Sequence, residues 1–168
     1  MVQKQEVRVL HKVDVKEMPL ILDLYPLQDP KQTRIARFFD NLRAGKLSTT
    51  KCKKCSRLHW PPRVVCPRCN SDDLEWADLP STGQVYASSA LVLGLPLGAE
   101  AEGPWCTAMV ELDGAGLRIF SRVDGCAPGE LRIGDPLVLK LVELSDGRVW
   151  FRFEKLRAGG GPAAGGGG

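Results

Sequence analysis

Apolar and polar positions change period along this chain. Ile35, Phe38, Phe39 and Leu42 recur at i, i+3, i+4 and i+7, the single stripe of an amphipathic helix, and Arg34, Arg37 and Asp40 fall largely off it. Asp29-Pro30-Lys31-Gln32 offers an acid at the N-cap, a proline at the first helical position and a glutamine to close a capping box. Gly45 is placed to end the helix, which is predicted over roughly 30–44. From Gln84 onward the period is two. Val85, Ala87, Ser89 and Leu91 alternate with Tyr86, Ser88, Ala90 and Val92. WCTAMVELDG and GLRIFSRVDG predict a hairpin across Asp113-Gly114-Ala115-Gly116, and PLVLKLVEL turns at Ser145-Asp146-Gly147 into RVWFRFEKL. Strands joined mostly by hairpins predict a five-stranded closed barrel, because closure removes exposed edges. An OB-type barrel is the first expectation and an SH3-like barrel the second.

The flanks read differently. VRVLHKVDV alternates as a short strand would, and MPLILDLYPL is apolar but broken by Pro19 and Pro26, so residues 1–28 read as an arm lying on a partner or on the chain itself. AGGGPAAGGGG has no side chains to bury and reads as a flexible tail. The expected organisation is an arm over 1–28, a helix over 29–47, a cysteine-rich ribbon over 48–78, a barrel over 79–157 and a tail over 158–168.

Composition narrows the class. At 168 residues, with 43% hydrophobic and 26% charged, the chain is globular rather than disordered. Its apolar runs are too short to span a bilayer and its first residues lack a secretory core, so a cytoplasmic setting is expected, with no membrane partner. In a reducing compartment, clustered cysteines read as metal ligands before disulfides. Charge is uneven: residues 1–78 carry 15 basic against 10 acidic side chains, and residues 79–168 carry 8 against 10. Any polyanion should meet the front half first.

The chemistry lies in KCKKCSRLHWPPRVVCPRC. Cys52, Cys55, Cys66 and Cys69 form two CxxC pairs, each able to aim two thiolates at one point. Four thiolates make the tetrahedral cage that zinc prefers, and iron in a rubredoxin-like centre is its rival. Such a cage is closed, so it activates no water and polarises no substrate. With zinc it carries a formal −2, which Lys51, Lys53, Lys54, Arg57 and Arg68 offset; that reading of the basic run stands level with polyanion binding. Trp60 is expected to cover the finger's small core rather than stack on a ligand, and His59 to lie at the surface rather than ligate. Arg63, after a rigid Pro-Pro step, is expected to project toward an anion or a partner carboxylate.

No catalytic set emerges. His11 and His59 are the only histidines, and neither sits in a recognisable arrangement with an acid or nucleophile. Cys106 and Cys126 read as small apolar residues of the barrel. Glu111, Asp113 and Asp124 stand at presumed strand ends where turn chemistry explains them.

The order of FFDNLRAGKL, the double-CxxC ribbon with Pro-Pro-Arg before the second knuckle, the Gly83-x-Val85-Tyr86 barrel entry and Ile133-Gly134-Asp135-Pro136 resembles a known family. It is the bacterial and archaeal zinc-ribbon plus OB-fold family of acyl-CoA-associated proteins, long known as a domain of unknown function. The resemblance covers about Arg34 to Phe153. It implies a small companion of thiolase-like enzymes, of hydroxymethylglutaryl-CoA synthase or of lipid-transfer-protein-like aldolases, similar to the small subunit of benzoylsuccinyl-CoA thiolase. In such complexes the partner carries the nucleophilic cysteine. The four ribbon cysteines carry over as ligands of a structural zinc, and no catalytic residue carries over. A coenzyme A thioester is the implied ligand of the complex, with Arg34, Arg37, Arg43 and Arg63 as candidate contacts to coenzyme A or the partner. A nucleic-acid-binding ribbon and barrel is the alternative, opposed by the acidic balance of the barrel half. Rubredoxin-like electron transfer is a third reading, separable by colour.

Overall fold

The computed structural model describes residues 28–92, 104–144 and 147–156. The expectations for the arm before Gln28, for residues 93–103, for Ser145 and Asp146 and for the glycine tail lie outside these. The described residues form one helix, a three-stranded sheet and a closed five-stranded barrel.

Helix α1 spans Ala36–Arg43, shorter than the pattern predicts. Asp29 does cap, but it caps a separate turn. Its Oδ1 accepts the Lys31 backbone N–H at 2.7 Å, and its carbonyl accepts those of Gln32 and Thr33 at 2.9 and 3.0 Å. The helix proper begins after Ile35 with no side-chain cap. Its end follows expectation. Gly45 takes φ +84°, its N–H donates to the Leu42 carbonyl and that of Lys46 to the Asn41 carbonyl, a Schellman ending that glycine adopts without Cβ strain. Phe38, Phe39 and Leu42 are buried, so the stripe packs on its own chain.

In the ribbon, β1 (Ser48–Cys52) lies between β2 (Leu58–His59) and β3 (Leu74–Asp78), both antiparallel to it. The barrel is built from β4 (Thr82–Leu91), β5 (Trp105–Leu112), β6 (Arg118–Asp124), β7 (Pro136–Glu143) and β8 (Val149–Lys155). Its order is β4-β5-β6-β8-β7, closed by β4 against β7. β6 and β8 pair in parallel, so β6 to β7 is a crossover rather than a hairpin, and the architecture is OB-type. Alternation fills the inside with Val85, Cys106, Ala108, Val110, Ile119, Val123, Leu137, Phe151 and Phe153. At Tyr86 the register shifts by a bulge between Val85 and Ala87. Beside it, the Val85 N–H donates to the Asp135 carbonyl and the Gly134 N–H to that of Val85, docking the β6–β7 loop on the strand. Gly83 is required at the entry, because a Cβ there would lie 2.5 Å from the Glu111 carbonyl oxygen.

An aromatic seam joins the two sheets. Trp60, at the end of β2, packs edge-on against Phe38 at 5.9 Å and Phe151 at 5.6 Å, and Phe39 stacks with Trp150 at 6.3 Å. The ribbon's tryptophan therefore covers the seam between helix and barrel rather than the finger alone. Gln28 adds a polar tie: its Nε2 donates to the Val149 carbonyl at 2.8 Å, and its Oε1 accepts from Arg43 at 2.8 Å.

Candidate metal centre and adjoining basic cleft

Each knuckle is closed by its own backbone. The Cys52 N–H donates to the Arg57 carbonyl at 2.9 Å, and the Cys66 N–H to that of Ser71 at 2.8 Å. The residue after each second cysteine takes a left-handed conformation, Ser56 at φ 56° and Asn70 at φ 53°. Asparagine tolerates this region readily. The two turns bring the sulfurs of Cys52, Cys55, Cys66 and Cys69 within 4.8 Å of one another, with Cys52–Cys69 at 3.6 Å and Cys55–Cys66 at 3.7 Å. A tetrahedron with zinc–sulfur bonds of about 2.3 Å has edges of about 3.8 Å, so the cage fits zinc in size and donor type.

Without a metal the thiols conflict. Burial pushes Cys66 up, but the backbone N–H groups of Arg68 and Cys69 and the neighbouring sulfurs outweigh it and bring it down to about 6. The Ser71 backbone pulls Cys69 down, yet burial and the other sulfurs push it up to about 11. A divalent cation removes the conflict by stabilising every thiolate. Lys53 is drawn into an ion pair with Asp73 at 2.9 Å, whose hydrogen bond and charge raise its pKa. Lys51, Lys54, Arg57 and Arg68 have no carboxylate partner among the described residues.

His59 departs from expectation. It is 6% exposed rather than at the surface, because β2 is the ribbon edge turned toward the barrel. Its carbonyl accepts the Thr49 hydroxyl, and among the described residues its buried Nε2 has no hydrogen-bond partner. Arg63 is exposed, and its backbone is fixed on both sides by Thr50: N–H to Oγ1 at 2.8 Å, and hydroxyl back to the Arg63 carbonyl at 3.1 Å. The other candidate arginines stand elsewhere. Arg43 binds Asp40 at 2.9 Å and Gln28, Arg37 lies 6.0 Å over the Trp76 ring, and Arg34 is exposed in the turn before α1.

An open cleft of about 750 Å³ runs between the ribbon and the β5–β6 turn. Arg57, Arg63, Arg68 and Arg118 line it together with His59 and Trp60, while Arg34, Arg37 and Arg43 do not. Arg118 escaped the sequence reading because it belongs to another domain and follows a turn, and no local pattern ties it to the ribbon.

The remaining candidates have structural partners. Cys106 is buried and its thiol donates to the Cys126 carbonyl at 3.3 Å. Burial first, then the Cys106 thiol, pushes Cys126 up to about 12. Glu111 pairs with Arg118 at 3.0 Å, and Asp113 accepts the Thr82 hydroxyl at 2.5 Å. Asp124 pairs with Arg122, Lys140 and Arg152 at 3.3, 3.4 and 3.8 Å. Contacts across the barrel, more than turn chemistry, occupy these carboxylates. Among the described residues no helix is long and apolar enough to cross a membrane.

Two family models match consecutive stretches: the ChsH2 rubredoxin-like zinc ribbon domain over residues 39–75, and the ChsH2 C-terminal OB-fold domain over residues 76–142. The benzoylsuccinyl-CoA thiolase subunit BbsA of Thauera aromatica is 30% identical over 119 residues, 68% of this chain and 79% of that protein. A DUF35 domain-containing scaffold protein of Methanothermobacter thermautotrophicus is 30% identical over 64% of this chain and 84% of its own. A probable enoyl-CoA hydratase alpha subunit of Thermomonospora curvata is 35% identical over 108 residues, and the chain spans only a third of that protein, 33% of its length. Among solved structures, the Ltp2-ChsH2(DUF35) aldolase matches with a TM-score of 0.63 at 32% identity, over 71% of this chain and 92% of that one. With zinc-ribbon and OB-fold halves in the same order, this chain belongs to the ChsH2, or DUF35, family, whose members include a benzoylsuccinyl-CoA thiolase subunit and a DUF35 domain-containing scaffold protein.

Proposed function

We propose that this chain is a non-catalytic, zinc-binding subunit of a thiolase-type acyl-CoA-processing complex. It supports assembly while its partner carries the catalytic cysteine. Cys52, Cys55, Cys66 and Cys69 hold the zinc. The observation that carries the reading is the sulfur cage: four thiolates whose spacing matches a tetrahedron leave a zinc ion no open position for water or substrate. Its role is then to hold β1, β2 and β3 in place. The barrel cysteines support the same reading, since Cys126 is pushed away from the thiolate form and Cys106 is buried. The thiolase subunit and the aldolase among its relatives support a thiolase-like partner and a coenzyme A thioester as the complex's substrate.

Co-expression with a thiolase-like protein of the same organism tests this. The two should co-purify with zinc, and the chain alone should turn over no acyl-CoA. Cys52→Ser or Cys66→Ser should abolish the complex, because structural zinc supplies the ribbon's folding energy. Thioester turnover by the isolated chain would overturn the reading. The relative named as a hydratase subunit favours a second reading, in which the partner is a hydratase. Co-purification with a hydratase but not with a thiolase-like protein would select it.

A further inference from the structure

The sulfur cage uses four of the six cysteines, and the other two also meet. Cys106 and Cys126 stand 20 residues apart in sequence. Gly125, at φ +77°, turns the chain at the end of β6 and brings Cys126 back over the start of β5. The Cys106 thiol donates to the Cys126 carbonyl at 3.3 Å, and the Cys126 thiol donates to the Val123 carbonyl at 3.6 Å. Val123 is the residue paired with Cys106 across β5 and β6, so both thiols sit at one end of that ladder. They also touch each other electrostatically: burial first, then a hydrogen bond with the Cys106 thiol, holds the proton on Cys126. Cys106 is 3% exposed, whereas Cys126 is half-buried, and the two line one open cleft of about 340 Å³. On its other side Cys106 lines a cavity of about 200 Å³ shared by β4 and by Gly129, Leu131 and Arg132 of the β6–β7 loop. Thiols are weak hydrogen-bond donors, so these bonds hold little by themselves. What the arrangement supplies is proximity, with one sulfur reachable from solvent and the other close behind it.

We propose that Cys106 and Cys126 are a dithiol that a small-molecule disulfide oxidises, and that the bond formed clamps the β6–β7 loop onto β5. The Cys126 sulfur, the reachable one, attacks a sulfur of the oxidant. The S–S bond of the oxidant breaks, and the first thiolate to leave takes up the Cys126 proton. The Cys106 sulfur then attacks the Cys126 sulfur of the mixed disulfide and expels the second thiolate, which takes up the Cys106 proton. Two protein thiols are oxidised to one disulfide, and the small disulfide is reduced to two thiols. A thiol that keeps its proton attacks slowly and is also a poor leaving group, so the bond forms slowly and opens slowly. The pair is a latch rather than a fast sensor. This inference stands on the barrel alone and does not depend on the assembly proposed above.

Prolonged incubation of the full-length, zinc-loaded chain with oxidised glutathione at mildly alkaline pH tests it, followed by alkylation of the remaining thiols and peptide mass spectrometry. A peptide joined through Cys106 and Cys126, lighter by two hydrogen atoms, should appear while the zinc content stays constant. Closing a loop of this length should raise Tm by roughly 5–10 °C, and dithiothreitol should reverse the rise. Amide exchange across residues 126–132 should slow in the oxidised chain. Cys126→Ala should give no cross-link. Cys106→Ala, which leaves a small apolar side chain in the buried position, should stop at glutathione attached to Cys126, and zinc content and Tm show that each variant is folded. Wild-type chain in which both thiols stay free, or in which glutathione stays on Cys126, overturns the pairing. So does cross-linking to a ribbon cysteine with loss of zinc. A Cys106–Cys126 bond that changes neither Tm nor exchange across the loop overturns the clamp.

Discussion

Cys126 and Cys66 carry the same thiol in opposite surroundings. Around Cys66, backbone N–H groups and neighbouring sulfurs favour the thiolate despite burial, which suits a metal ligand. Around Cys126, burial dominates, and the thiol is pushed up to about 12. A nucleophile for thioester chemistry needs the reverse. The thiolate is the reacting species, so a pKa of about 12 in place of the ordinary 9.0 cuts its population about a thousandfold, partly offset by higher intrinsic nucleophilicity. Alkylation of Cys126 by iodoacetamide at pH 7, in the zinc-loaded chain, should run roughly 50-fold slower than for an exposed cysteine. Mass spectrometry of the labelled peptide over time reads this directly. Labelling as fast as a free thiol would make Cys126 a catalytic candidate.

At the scale of elements, the β6–β7 loop shows how one ion pair can fix a barrel corner. Lys155 of β8 reaches Asp135 at 2.8 Å, and the Arg132 backbone N–H donates to the same carboxylate at 2.8 Å. The Lys155 hydrogen bond first, and that N–H second, hold Asp135 below the usual carboxylate range, while Asp135 raises Lys155 above the usual lysine range. The lowered carboxyl stabilises the fold above the unfolded value of about 3.9, and this contribution is lost as pH falls through the lower folded value. The raised ammonium contributes below its unfolded value of about 10.4, and this is lost as pH climbs past the folded one. Asp135→Asn should therefore lower Tm by an amount that is flat between roughly pH 5 and 9 and shrinks at both ends. Thermal melts across pH check it, and a difference that grows toward acid would refute the pair. This corner also marks how far the sequence could be read. Alternation gave β4 as a strand, and the turn at Asp113-Gly114-Ala115-Gly116 gave the β5–β6 hairpin, because both signals are local. Asp29 misled because an acid before a proline caps an isolated turn as well as a helix. Trp60 and His59 were misplaced because their environment is another domain, and no residue near them in sequence records it.

At the scale of the whole molecule, the metal and the barrel are coupled through Trp60. The ribbon has little apolar core of its own, since its buried residues are mainly Cys52, Cys66, Ser48, Thr49, Thr50 and His59. The barrel has a full one around Val110, Ile119, Leu137 and Phe153. Removing zinc should therefore unfold the ribbon and leave the barrel standing. Trp60 would then leave Phe38 and Phe151, and with it a contact worth about 1–2 kcal/mol to the barrel, or roughly 5–10 °C in Tm. Hydrogen exchange after chelation should show protection lost across β1, β2 and β3 and kept in β5, β6 and β8. Trp60→Ala with zinc in place should reproduce the fall in Tm while the ribbon strands stay protected. That pair of outcomes separates a tryptophan that couples two domains from one that only fills the finger. If quantitative zinc removal leaves β1 to β3 protected, the cage does not hold the ribbon together. If Trp60→Ala exposes the ribbon and spares the barrel, the tryptophan belongs to the finger's core, and the cleft loses the wall that joins its two halves.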